Sequence, residues 1–249
     1  MQSEKVKHFF SSGGLGDTWI VLLKILPYLK DCDKVMWHHV NAHECHREPI
    51  LDLMSLLPKD GSFVSEVIKP RELEQHRSKF LDQWPNAVAL NTKAPELMFP
   101  TPALDFIDNN SKEKYIVVQP EAGRKDNSRR YMTPEVIDQA KEHAEKVILL
   151  GAEYDYPEDD KVTNLTGKTS IEEVLKIVKG SSGFLGYHGF IAYVSMSMQK
   201  PSKVLLDNPH LFNHYINPHW LSTTKIGHVP CQDNCPTKLR ELGHIQWIN

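Results

Sequence analysis

The stretch "GFLGYHGFIAYVSMSMQKPSKVLL", Gly183–Leu206, contains strand, turn, helix and strand in succession. Gly183–Gly189 is a short apolar run entering a glycine turn, a helical pattern continues to Met198, and "SKVLLD", Ser202–Asp207, is the next strand. A strand, a crossover helix and a second strand in this order mean neighbouring parallel strands with the helix packed on one face. The same alternation extends upstream. Ser170 and Glu173 form a capping box that opens a helix to Lys179, and "KVILLG", Lys146–Gly151, is a buried-type strand. Thr133-Pro134-Glu135 starts another helix with a cap residue and a first-turn proline, and "YIVVQP", Tyr115–Pro120, is rich in β-branched residues.

Before it, "PTPALDFIDNNSKEK", Pro100–Lys114, breaks the alternation with two prolines, paired asparagines and charges, and marks a domain boundary. The N-terminal part alternates as well. Lys5–Ser11 reads as a strand, Thr18–Leu29 as a helix with Pro27 near its end, Lys34–His38 as a strand, Glu48–Leu57 as a helix and Phe63–Ile68 as extended chain. The expectation is an α/β protein of two Rossmann-like domains, residues 1–108 and 109–249, facing a central cleft.

Composition narrows the function. A chain of 249 residues, 40% hydrophobic and 24% charged, has the make-up of an ordinary globular protein. A net charge of -3 gives no global attraction to nucleic acid or anionic membrane. The N-terminus MQSEKVKHFF lacks the apolar core of a signal peptide, and no run of about 18 apolar residues occurs. A cytoplasmic protein is expected, with Cys32, Cys45, Cys231 and Cys235 as reduced thiols.

Open parallel sheets bind ligands outside the carboxyl ends of their strands, so turns at those ends are the candidate sites. The first is Gly13-Gly14-Leu15-Gly16-Asp17. It matches neither the dinucleotide fingerprint, since Trp19 stands where the third glycine belongs, nor a Walker A loop, since no Gly-Lys-Ser/Thr follows. Gly14 and Gly16 leave room for a ligand near the backbone. Asp17 is either a helix cap or a general base for an incoming hydroxyl, and the two roles are compatible. The second is Gly186-Tyr187-His188-Gly189, where a helix N-terminus offers free N–H groups to a diphosphate. The third is "QPEAGRKDNSRRYMTPE", Gln119–Glu135, with Arg124, Lys125, Arg129 and Arg130 on one loop, a phosphate-binding composition.

The order "VVQPEAGRKDNSRRYM", "VILLGAE", "NLTGKTSIEEVLKIV" and "GYHGFIAYVSMSMQKPSKVLL" resembles glycosyltransferase family nine, the heptosyltransferase-like enzymes of GT-B fold. The likeness covers most of the chain and is best from Tyr115 to Leu206; "NLTGKTSIEEV" is its most specific piece, and Gly16-Asp17 with Pro27 match the N-terminal pattern. It implies metal-independent, inverting transfer of a sugar from a nucleoside diphosphate sugar to a hydroxyl acceptor, a glycan or a modified nucleobase. Asp17 would be the base, with Arg124, Arg129 and Arg130 as cations for the diphosphate. Thr166, Gly167 and Lys168 would lie near the nucleotide, Glu153 near its ribose, and Tyr187, His188 and Gly189 at the phosphate turn.

The chain departs from the family pattern at two places. His188-Gly189 replace an Asp-Ser pair, and Tyr193 stands at the family's histidine, so ADP-heptose loses support as the donor. A non-catalytic nucleotide-sugar-binding protein and a sugar-nucleotide epimerase of the same fold are the alternatives. No cofactor is implied. "HHVNAHECH", with His38, His39, His43, Cys45 and His46, lacks the paired spacing of a structural zinc site; His228, Cys231, Cys235 and His244 approach it more closely. The second group otherwise reads as a loop before a last helix that crosses back to the first domain.

Overall fold

The computed structural model describes residues 5–41, 47–58, 60–68, 86–97, 114–122, 130–157, 159–229, 237–239, 243 and 245–248. The chain divides into two compact units, Met1–Phe106 and Ile107–Asn249.

Unit one is a parallel sheet of β1 (Val6–Gly13), β2 (Lys34–Asn41), β3 (Phe63–Ile68) and β4 (Val88–Ala89), in the order β3-β2-β1-β4. β1 and β2 pair along their whole length, from Val6 opposite Lys34 to Gly13 opposite Asn41. β2 and β3 lie to one side of β1 and β4 to the other. The strand order therefore reverses at β1, and its carboxyl end is where such a sheet opens a crevice. From there α1 (Leu15–Ile25) starts, earlier than its periodicity suggests because Gly14 is its N-cap. Its run Trp19–Leu23 is buried on every side, as expected of a helix apolar all round. Pro27 does not end the chain's coiling; it sits in a 3₁₀ turn, Leu26–Leu29, where its missing N–H costs nothing. Lys24 bonds the Asn91 carbonyl at 2.9 Å and side chain at 2.8 Å, tying α1 to the segment after β4. The helix α2 (Arg47–Ser55) buries Ile50, Leu53 and Met54.

Unit two holds β5 (Ile116–Gln119), β8 (Val147–Leu149), β9 (Val162–Asn164), β10 (Gly183–Tyr187), β11 (Ser202–Leu206), β12 (Thr224–His228) and β14 (Gln246–Trp247) in one sheet ordered β14-β12-β11-β10-β5-β8-β9. All pairs are parallel except β12 with β14. β6 (Glu121–Ala122), β7 (Arg130–Met132) and β13 (Thr237–Leu239) form a small second sheet. The helices are α3 (Pro134–Glu142), α4 (Ile171–Gly180), α5 (Phe190–Ser197) and α6 (Phe212–Tyr215). In α4, Ile171, Val174, Leu175 and Val178 recur at i, i+3, i+4 and i+7 and are the buried face. Ser170 accepts the Glu173 N–H at 3.3 Å while the Ser170 N–H donates to Glu173 at 2.8 Å, completing the expected capping box. Thr133 stands at the cap of α3 without its side chain bonding the helix.

The last helix expected after His228 is not found among the described residues. Beyond Val229 they include two strands, β13 beside β7 and β14 beside β12. Among the described residues no helix is long and apolar enough to cross a membrane.

Candidate functional site

In unit one the glycine turn after β1 is built around Asp17. Gly14 rather than Asp17 is the cap, and Asp17, in the first turn, accepts the Gly14 N–H at 3.0 Å through Oδ2. Its other oxygen, Oδ1, is buried and has no hydrogen-bond partner among the described residues. Gly13 is needed for two reasons: its φ is +148°, and a Cβ there would lie 2.4 Å from the Asp17 Cβ. The turn rests on a buried polar group. Trp37 donates from Nε1 to the Ser11 hydroxyl at 2.8 Å, Ser11 lies 2.9 Å from His39 Nδ1, and His39 Nε2 lies 3.2 Å from Thr18 Oγ1 and 3.3 Å from the Gly13 carbonyl. Thr18 donates to the Gly14 carbonyl at 2.8 Å. Burial pushes the His39 imidazole down to about 4, against the smaller opposing effect of the Gly13 carbonyl.

His38 points to the opposite face of β2 from His39. It bonds Glu66 and stacks on His8 at 5.6 Å between ring centroids. Burial, followed by the neighbouring His38 and Lys34, lowers the affinity of His8 for a proton. Among the described residues no group of histidines, cysteines and carboxylates is arranged to hold a metal ion. His43, Cys45 and His46, and Cys231, Cys235 and His244, lie outside the described residues.

In unit two the strand order reverses between β5 and β10, so the crevice opens at Gln119 and Tyr187. Three of the side chains singled out from sequence meet there. His188 follows β10, Tyr193 is in the first turn of α5, and Arg130 begins β7. Arg130 Nη1 bonds His188 Nε2, and His188 Nδ1 lies 3.3 Å from the Tyr193 hydroxyl. Two further residues complete the cluster. Asp207, just past β11, lies 3.1 Å from His188 Nε2 and 3.5 Å from Arg130 Nη1; Tyr215 of α6 stacks on His188 at 6.0 Å and on Tyr193 at 5.6 Å. Burial alone would raise the Asp207 carboxyl, but the contact with His188 and the Arg130 charge prevail and hold it down at about 2. Gly189, at the cap of α5, has φ +151°, and the space where its Cβ would stand is open. A side chain there would be strained and would narrow the approach to the helix N-terminus. Gln119 Oε1 and Arg130 Nε are buried without a hydrogen-bond partner among the described residues.

The remaining predicted residues fall into distinct places. Tyr187 is fully buried in the core with its hydroxyl 3.3 Å from the Tyr131 carbonyl, so it supports the glycine turn from below and is not presented to a ligand. Thr166 is likewise buried: it accepts the Tyr154 N–H at 3.0 Å and donates within its own loop. Gly167 has φ +69°, its N–H bonds the Gly151 carbonyl at 2.9 Å, and a Cβ on it would touch Glu153 at 3.4 Å. This draws the loops after β8 and β9 together, with Glu153 and Lys168 exposed on them. Arg124 and Arg129 lie outside the described residues. Asp207 carried a readable signal, a carboxylate at the end of a parallel strand; Tyr215 carried none in its local pattern.

No protein-family model matches the sequence, and neither does any curated protein. Solved structures do match by shape. An E. coli heptosyltransferase, WaaC with ADP, is 11% identical over 90% of this chain and 93% of its own, with a TM-score of 0.55. E. coli ADP-heptose lipopolysaccharide heptosyltransferase II is 11% identical over 92% of each chain, TM-score 0.55. A family 9 glycosyl transferase from Veillonella parvula is 11% identical over 89% of this chain and 86% of its own, TM-score 0.55. At this identity the likeness is one of fold: the protein has the α/β, GT-B type fold of these glycosyltransferases.

Proposed function

We propose that the protein is a glycosyltransferase that moves a sugar from a nucleoside diphosphate sugar to a hydroxyl acceptor by direct, inverting and metal-independent displacement. The observation that carries this reading is the Arg130–His188 pair at the switch point of unit two, beside the open N-terminus of α5 at Gly189. The Arg130 guanidinium, the His188 imidazole beside it and the N-terminal end of α5 suit a diphosphate, and none of them can serve an apolar ligand. As the bond from the anomeric carbon to the diphosphate breaks, negative charge grows on the departing oxygen, and these groups stabilise it. The attacking oxygen loses its proton to Asp17, whose carboxylate is held by Gly14. The fold shared with heptosyltransferases supports the reaction class, and the bound ADP of the WaaC structure supports the nucleotide at the donor end.

The test is a panel of ADP-, GDP- and UDP-sugars incubated with the protein, read first as thermal shift and then as release of nucleoside diphosphate. A matching donor at a hundredfold excess over its Kd stabilises by about 2.7 kcal/mol. Release should fall by at least a hundredfold in Asp17→Asn with the thermal shift retained, since the base acts in the chemical step only. A panel that neither shifts the protein nor is consumed ends this proposal.

A further inference from the structure

His39 looks like one of a metal-binding run in the sequence, yet it is wholly buried and its ring faces the glycine turn. Its bonding pattern fixes its tautomer. The Gly13 carbonyl can only accept, so the imidazole proton is on Nε2, directed at that carbonyl and at Thr18 Oγ1, whose own proton goes to the Gly14 carbonyl. Nδ1 is then bare and accepts the Ser11 proton, while the Ser11 oxygen accepts from Trp37. Every donor in the chain then has an acceptor, the Nε2 proton being shared between two, with His39 neutral.

The Gly13 carbonyl and the Gly14 N–H are opposite ends of one planar, trans peptide unit. His39 grips the oxygen end; the hydrogen end donates to Asp17 Oδ2 at 3.0 Å. With a glycine on each side, this plane has none of the steric restraint that a Cβ would supply, so its tilt is set by the pairing of Gly13 with Asn41 in the sheet and by the side-chain bonds at its two ends. Thr18 fixes the next carbonyl in the same way, through both its hydroxyl and its N–H, each bonding the Gly14 oxygen.

We infer that His39 is a positioning residue for the Asp17 carboxylate, acting through the Gly13–Gly14 peptide plane. This rests on the reading of Asp17 as the base, and the experiment separates the two. The full-length protein is made as wild type, His39→Leu, His39→Gln and Asp17→Asn, and exchange of the Gly14 amide proton is followed by NMR on uniformly ¹⁵N-labelled samples. His39→Gln keeps an N–H that can reach the Gly13 carbonyl; His39→Leu does not. Gly14 exchange should be accelerated at least tenfold in His39→Leu, and largely restored in His39→Gln. With a donor from the panel above, kcat of His39→Leu should fall at least tenfold while KM for the donor stays within twofold, with His39→Gln recovering most of it. Amides distant from the turn report whether His39→Leu is folded, and Ser11→Ala, a milder break in the same chain, should accelerate Gly14 exchange in the same direction. Unchanged Gly14 exchange in folded His39→Leu and Ser11→Ala overturns the inference. Altered exchange with turnover insensitive to Asp17→Asn leaves the peptide-plane link standing and removes Asp17 as the base.

Discussion

At the scale of single residues, two titrations contribute to how the units respond to acid. His39 takes up a proton at about 4 in the folded protein but at about 6.5 when exposed, so the unfolded chain binds more protons between those values. Its neutral form stabilises unit one fully above pH 6.5, and that stability drains away as pH falls towards 4, by about 3 kcal/mol in all. Asp207 is lowered to about 2 from 3.8, so its contribution to unit two is intact above pH 3.8 and is lost only as pH falls towards 2, by about 2 kcal/mol at most. Unit one should therefore weaken first on acidification. Urea unfolding from pH 7 to pH 4 should show the loss, and His39→Gln, which carries no titrating ring, should flatten it. Equal acid sensitivity of wild type and His39→Gln would contradict the assignment.

At the scale of elements, the glycines at strand ends are constrained by what packs against them. A Cβ on Gly186 would meet the Phe184 ring at 2.5 Å and the Gln119 Cβ at 2.8 Å, because Gly186 and Gln119 are register partners of β10 and β5. Gly186→Ala should cost about 1–3 kcal/mol of overpacking and disturb the donor end of the site, measurable as a lowered Tm and weaker nucleotide binding. Ser170→Ala, which removes half of the capping box of α4 well away from the site, should cost about 1 kcal/mol and leave nucleotide affinity unchanged.

These elements also show how far the sequence could be read. Strands with a dense apolar run, such as β3, β5 and β11, and helices with a proper start, such as α3 and α4, were legible within a few residues, because period and cap are local properties. β6, β7 and β9 were not, since strands of two or three residues hold no period, and β7 is defined by partners on both sides of it in space. β12, "TKIGH", offers no clean alternation and owes its place to pairing with β11. The site divides along the same line. His188, Gly189 and Arg130 could be singled out because strand ends and basic loops are visible in one dimension. Their joining to Asp207, 77 positions from Arg130, depends on strand order, which the local pattern does not contain.

At the scale of the whole molecule, each unit repeats one device: a parallel sheet whose strand order reverses and whose crevice is closed by a glycine turn entering a helix. The turn of unit one holds a carboxylate, and that of unit two holds an arginine and a histidine with Asp207 beside them. Under the proposed function Asp17 would be the base for the attacking hydroxyl and Arg130 the cation for the leaving diphosphate. The most direct test of the claim is isothermal titration of ADP, GDP and UDP into the wild type, Arg130→Ala and His188→Ala. At least one nucleoside diphosphate should bind the wild type, with Kd raised tenfold or more in each variant and affinity falling as salt is increased. Absence of binding by all three, or binding that neither substitution weakens, would contradict it.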